Sequence, residues 1–222
     1  MRKINQTEEI IQKVFPELSL STPQLERLDT YVELLNQWNK VYNLTSIREK
    51  TDLIYKHVLD GLIPLVYQDQ LSLSFEGRGL DLGSGAGVPG LVLSLCDNQL
   101  SLLSVDGVQK KIAFQKIVAA KAQIKHFNAV HARFEQLTSH GAYQGPYDFV
   151  CARALSLLTD LAHWTRQFVK PGGLLWAWKG QEWPAEWEDL RKAGDFKLIQ
   201  SLPYDLTQGY GGVLLLLRYS PS

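Results

Sequence analysis

The stretch Gly79-Leu80-Asp81-Leu82-Gly83-Ser84-Gly85-Ala86-Gly87-Val88-Pro89-Gly90 reads as a short apolar strand, a glycine turn and the first turn of a helix. Open α/β sheets bind nucleotide-like ligands at such a turn, and each glycine lets the backbone bend tightly and come close to a ligand. A P-loop would end in Gly-Lys-Ser or Gly-Lys-Thr, and no such lysine is present. Gly85 to Gly90 match the dinucleotide fingerprint G-x-G-x-x-G literally. The phase argues against it, because the strand ends at Leu82 and the tight turn then begins at Gly83. The unit is better read as Asp-x-Gly-x-Gly-x-Gly with the Asp81 carboxylate beside the turn. A carboxylate there is awkward near a pyrophosphate and suits the ammonium and sulfonium of S-adenosylmethionine (SAM).

Working outward, the residues ahead of this loop read as helices without strands. Thr22 is expected as N-cap and Pro23 as the first helical residue, with Leu25, Leu28, Tyr31, Val32, Leu35 and Trp38 forming one apolar face. A second helix is expected from about Lys50 to Val66. Beyond the loop the pattern becomes βαβ, with strands at Gly79–Leu82, Leu100–Val105, Asn128–His131, Tyr147–Ala152 and Leu174–Trp178. Lys170-Pro171-Gly172-Gly173 is expected as the turn into the fifth, and strands near Phe196–Leu202 and Val213–Tyr219 finish the sheet. The fold class is therefore α/β, a doubly wound, mostly parallel seven-stranded Rossmann-like sheet of the class I SAM-methyltransferase kind. An N-terminal helical extension is expected over residues 1–75 and the SAM-binding domain over 76–222, as one compact unit.

Ligands in such sheets lie beyond the carboxyl ends of the strands. The first strand offers Asp81, Gly83 and Gly85. The second ends in Asp106, about twenty residues past the glycines, where a carboxylate can accept from both ribose hydroxyls; an N-cap is its alternative role. The third leads into Arg133-Phe134-Glu135, an aromatic and a carboxylate suited to an adenine and its amino group, though Phe134 also reads as core. The fourth is followed by Arg153, which must face a ligand or a carboxylate because an unpaired buried cation is costly. The fifth ends in Lys179. His57 and Asp60 are three apart on one expected helix, where they can share a face.

Composition narrows the classes. The chain has 222 residues, 45 % hydrophobic, and a formal charge of zero. Met1 to Phe15 lacks the apolar core of a signal peptide, and a run such as Val213–Leu217 is far too short to span a bilayer. A soluble cytoplasmic protein, with no membrane partner and a monomer, is expected. Cys96 and Cys151 read as buried free thiols, and there is no metal-ligand spacing. Between Gly107 and Phe134, Lys110, Lys111, Lys116, Lys121, Lys125 and Arg133 occur with no acidic residue. Such a segment can steer a phosphate backbone, although its lysines fall on no single helical face.

The loop Asp81–Gly90 resembles the signature of the RsmG (GidB) family of small-subunit rRNA methyltransferases. So do Trp38-Asn39-Lys40-Val41-Tyr42-Asn43-Leu44-Thr45-Ser46, His57-Val58-Leu59-Asp60, Ala152-Arg153-Ala154 and Lys179-Gly180-Gln181. The resemblance implies SAM-dependent methylation of guanine N7 in the decoding region of 16S rRNA, as naked RNA or in the small ribosomal subunit. It carries cofactor contacts onto Gly83, Val88, Phe134, Glu135 and Arg153. Arg153 is also the best candidate for a catalytic part, since no general base is expected. Asn43, Arg48, His57 and Lys179 are candidate RNA contacts. Two departures stand out: Gly107 follows Asp106 where the family usually has serine, and Gln208-Gly209-Tyr210-Gly211-Gly212 replaces a charged Arg-His turn. The competing readings are a SAM methyltransferase for a small molecule or protein, and a nucleotide-binding module without catalysis.

Overall fold

The computed structural model describes residues 5–71, 77–133, 137, 143, 145–207 and 209–221. Seven strands form one sheet: β1 (Arg78–Leu82), β2 (Ser101–Asp106), β3 (Phe127–His131), β4 (Tyr147–Arg153), β5 (Val169–Lys179), β6 (Phe196–Asp205) and β7 (Gly211–Tyr219). Their order is β3-β2-β1-β4-β5-β7-β6. The first five pair in parallel, while β7 runs antiparallel to both β5 and β6.

Strand periodicity places the core on both faces. Trp176, Trp178, Leu214 and Leu216 pack to one side; Leu175, Ala177, Leu215 and Leu217 pack to the other. The first side also takes the N-terminal helices α1 (Gln6–Val14) and α2 (Thr22–Tyr42) together with α6 (Gly90–Cys96) and α7 (Gln109–Lys121). The second takes α8 (Leu158–Thr165) and α9 (Trp183–Leu190). On the first side Phe149 and Trp176 stack with centroids 4.5 Å apart. The two cysteines are free and buried.

Three local expectations are corrected. Ser21, not Thr22, is the N-cap of α2; its N–H and hydroxyl both donate to Gln24 Oε1, three residues on. The turn expected at Lys170–Gly173 is drawn into β5, where the register to β4 jumps from Tyr147↔Val169 to Phe149↔Leu174. The helix expected from Lys50 to Val66 is divided into α3 (Lys50–Leu53), a π-helical turn (Ile54–Leu59) and α4 (Asp60–Val66); the short α5 (Gln68–Leu71) follows. Pro64 sits inside α4 and has no N–H to give the Asp60 carbonyl four residues earlier. That carbonyl accepts instead from the Trp178 indole N–H at 3.0 Å, fastening the helix to the end of β5.

Helix α2 reaches the glycine loop directly. Gln24 Nε2 donates to Cys96 O at 2.5 Å, at the end of α6, and the buried Tyr31 hydroxyl donates to Ala86 O at 3.1 Å. Lys110 Nζ donates to Tyr42 O at 2.6 Å, capping the last turn of α2. Tyr31→Phe leaves the Ala86 carbonyl buried without this donor. The expected outcome is a loss of about 1–3 kcal/mol in chemical denaturation, with an unchanged denaturant slope.

Candidate active site

The loop after β1 is held from four directions. Ser84 N–H donates to Val105 O at 3.0 Å, tying the loop to β2. Asp106 Oδ2 accepts from Gly85 N–H and its Oδ1 from Val108 N–H, each at 2.8 Å. Buried Gln115 of α7 donates to Ser84 Oγ and Gly85 O, both at 2.8 Å, and accepts from Ser104 Oγ at 2.6 Å. Tyr31 holds Ala86 from the fourth side. Gly85 has φ 58°, and a Cβ there would enter open space, with only Lys111 Nζ at 4.0 Å. The loop is thus rigid behind and bare in front, as a ligand cradle requires.

The start of α6 is closed to phosphate. Gly90 N–H donates to Asp81 Oδ2 at 2.9 Å, while the N–H groups of Leu91 and Val92 both donate to Gly87 O. A Cβ on Gly90 would lie 2.6 Å from Asp81 Oδ2. Only glycine allows the helix to settle this deeply onto the strand. Asp81 itself is wholly buried beneath the loop, not in the cleft. Its Oδ1 has no well-formed hydrogen bond, and the Cys151 thiol faces it across the β1–β4 register. Burial is the main cause that pushes the Asp81 pKa up to about 7, against the opposing pull of the Gly90 N–H.

In front of the loop lies a cleft of about 440 Å³, lined among others by Asn43, Thr45, His57, Gly85, Val88 and Arg153. Its volume falls in the small-ligand range. Asn39, buried in α2, shapes one wall: its Nδ2 donates to Ile47 O at 2.6 Å and its Oδ1 accepts from Thr45 N–H at 2.9 Å. Asn43 takes the left-handed conformation that ends α2, and its Oδ1 accepts from the Arg48 guanidinium at 2.9 Å. His57 is buried with neither ring nitrogen hydrogen-bonded. Desolvation first, then the charges of Arg153, Lys56 and Lys111, hold its pKa down to about 3. It is a neutral imidazole at physiological pH.

A second cleft of about 520 Å³ opens beyond β4 and β5, and Arg153 and Ala154 line both. Arg153 donates to Lys56 O and pairs with Asp60, whose other oxygen accepts from the Tyr204 hydroxyl. Asp60 N–H bonds to His57 O instead of Lys56 O, so the Lys56 carbonyl is available to the guanidinium. Lys179 points inward, donating to Ser156 O at 2.8 Å and pairing with Glu186 at 2.6 Å; Glu186 also accepts from Leu158 N–H at 2.7 Å.

The structure therefore brings Gly83, Gly85, Val88, His57, Asn43 and Arg153 to one cleft, with Asp81 beneath it and Asp106 at the end of β2 on the Gly85 N–H. Lys179 belongs to the adjoining cleft, and Arg48 stands outside on Asn43. Phe134 and Glu135 lie outside the described residues. His57 does not pair with Asp60, because the π-helical turn separates them. Of the basic segment, Lys111 reaches the first cleft, whereas Lys116 lines a groove with Arg78 and Ser101 at the opposite end of the strands. The residues that sequence reasoning missed are Gln115, Tyr31, Asn39, Lys56 and Tyr204. Gln115 carried a signal as a polar side chain in helical phase with Ile112 and Val118, and Asn39 stood within the block Trp38–Ser46 that carries the resemblance.

The Asp81 shift fixes a sign for pH dependence. A carboxyl that binds its proton more tightly when folded adds stability below its unfolded pKa, near 4, and loses it as pH rises through about 7. Asp81→Asn removes this titration. The difference in unfolding free energy between wild type and Asp81→Asn should therefore drift against wild type from pH 4 to pH 7 and level off above, as followed by denaturation across that range.

Comparison with known proteins places the chain. The family described as rRNA small subunit methyltransferase G (GidB) matches residues 24–208. The ribosomal RNA small subunit methyltransferase G of Syntrophotalea carbinolica is 37% identical, covering 98% of each chain. That of Leptothrix cholodnii is 40% identical over 77% of this chain and 76% of its own. Among solved structures, the O-methyltransferase of Bacillus cereus in complex with SAH superposes with a TM-score of 0.62, at 12% identity, over 95% of this chain and 96% of that one. A ribosomal protein L11 methylase from Lactobacillus delbrueckii gives 0.55 at 14% identity, over 73% and 79%. The fold is that of the class I methyltransferases, and this chain belongs to the rRNA small subunit methyltransferase G family.

Proposed function

We propose that this protein transfers a methyl group from SAM to N7 of a guanine in the decoding region of 16S rRNA, on the RNA or the small ribosomal subunit. The observation that carries this reading is the wall formed by Arg153 and Ala154, common to a glycine-loop cleft and a cleft lined by Trp178, Tyr204 and Tyr210. Two reactants held on either side of that wall meet at the end of β4. The relatives' names support the small-subunit rRNA as acceptor, and the SAH of the Bacillus cereus enzyme supports SAM as donor.

The residues fit SAM on three counts. Gly85 leaves a cradle that a Cβ would fill. The helix start holds no free N–H for a pyrophosphate. The Asp106 carboxylate, accepting one N–H on each oxygen, retains lone pairs for ribose hydroxyls. Gly83, Gly85 and Val88 would cradle the ligand, Arg153 would border its reactive end, and Phe134 and Glu135 would flank the adenine. Asp81 acts from beneath the loop, by fixing Gly90. When bound, SAM supplies a methyl on a sulfonium: the guanine N7 lone pair forms the new bond to carbon, the sulfur keeps the bonding pair, and one positive charge passes to the purine.

N7 needs no deprotonation before attack, so the protein's task is orientation and exclusion of water, with charge placement second. The side chains agree with this. His57 is neutral and enclosed, and the carboxylates of Asp60 and Glu186 are committed to Arg153 and Lys179.

The test is methyl transfer from labelled SAM to small subunits isolated from cells lacking the protein, with mapping of the product. A single N7-methylguanine in the decoding region is expected; SAM binding with no transfer to subunits or their RNA would overturn the reading. Arg153→Ala should lower transfer by about 10²-fold or more while cooperative unfolding is retained. At saturating SAM the rate of the chemical step should stay flat through neutral pH, and a bell centred on one side chain would count against a mechanism without a base.

A further inference from the structure

The second cleft contains a group that the proposed reaction does not yet use. Tyr210 stands on the turn between β6 and β7. Its ring lines the cleft, and the Lys56 ammonium lies over it, 4.6 Å from the centroid. Tyr55 packs against the same ring at 6.2 Å. The turn is tightly closed: Leu206 N–H donates to Tyr210 O at 2.7 Å, and Tyr210 N–H to Thr207 O at 3.0 Å. Thr207 has φ 67°, a left-handed conformation rare for a β-branched residue and of the kind that collects at functional sites.

We propose that the Tyr210 ring is a cation–π platform for the acceptor purine, and that the Lys56 ammonium marks where the purine's positive charge develops. This deepens the guanine-N7 reading and rests on it. Attack by N7 turns a neutral guanine into a cationic purine with no proton moved. The negative face of an aromatic ring attracts that charge, and it does so more in the transition state than in the ground state. The nearby fixed cations do not oppose it, since Arg153 and Lys179 are each paired with a carboxylate. The Lys56 ammonium occupies the ring face and would be displaced towards a phosphate as the base enters.

The test uses the full chain and two probes, guanosine and the cationic nucleoside 7-methylguanosine. Wild type should bind 7-methylguanosine about 3- to 30-fold more tightly than guanosine. Tyr210→Leu, which keeps an apolar side chain but no π face, should erase that preference and lower kcat on subunits by a similar factor, with KM and SAM affinity little changed. Tyr210→Trp should preserve the preference. Equal binding of the two nucleosides by wild type, or a Leu variant that keeps the preference or the wild-type kcat, would overturn the proposal. Failure of the underlying reading looks different: wild type would then transfer no methyl group to subunits at all.

Discussion

An arginine that leaves a strand buried on both faces has to find an anion or destabilise the fold, and Arg153 finds Asp60. That ion pair organises the carboxyl edge of the sheet. It brings α4 down onto β4, and Asp60 in turn holds Tyr204 through its other oxygen and Trp178 through its backbone carbonyl. Three strands and one helix are thereby fixed around a single residue, Asp60. The pair is partly buried, so losing one partner would leave a desolvated charge, a larger loss than the pair's own net contribution.

The glycine loop is braced by a different device. The Ser84 and Gly85 N–H groups and the Gly85 and Ala86 carbonyls are taken by Val105, Asp106, Gln115 and Tyr31, which sets the shape of its surface before any ligand arrives. Preorganisation of this kind lowers the ordering cost of binding. It also ties an N-terminal helix to the cleft: α2 supplies one of the four braces and, through Asn39, one wall.

The positions of the strands along the chain and the loop were legible in the sequence because both depend on local rules. Glycine spacing marks a turn, and two-sided apolar runs mark buried parallel strands. The route of the chain from Lys50 to Val66 was not legible. A π-helical turn has no residue signature, and Pro64 signals only that some carbonyl four residues earlier lacks its usual partner. The cap at Ser21 was misassigned by one residue because Ser21 and Thr22 are both able caps and only the Gln24 hydrogen bond separates them. Asp81 was legible as a carboxylate at the turn. That it faces downwards onto Gly90 depends on how closely α6 packs against β1, a tertiary distance that no spacing encodes.

The clefts on either side of Arg153 share one wall, and this has a thermodynamic consequence. An occupant of one cleft that shifts the guanidinium, or alters its pairing with Asp60, changes the free energy of occupying the other. Linkage makes that effect reciprocal: the factor by which the donor alters affinity for the acceptor equals the factor by which the acceptor alters affinity for the donor. The donor carries a positive charge that its demethylated product lacks. In the proposed reaction the shared cation would give the cleft beyond β4 and β5 a means of distinguishing a loaded partner site from a used one, without any movement of the backbone.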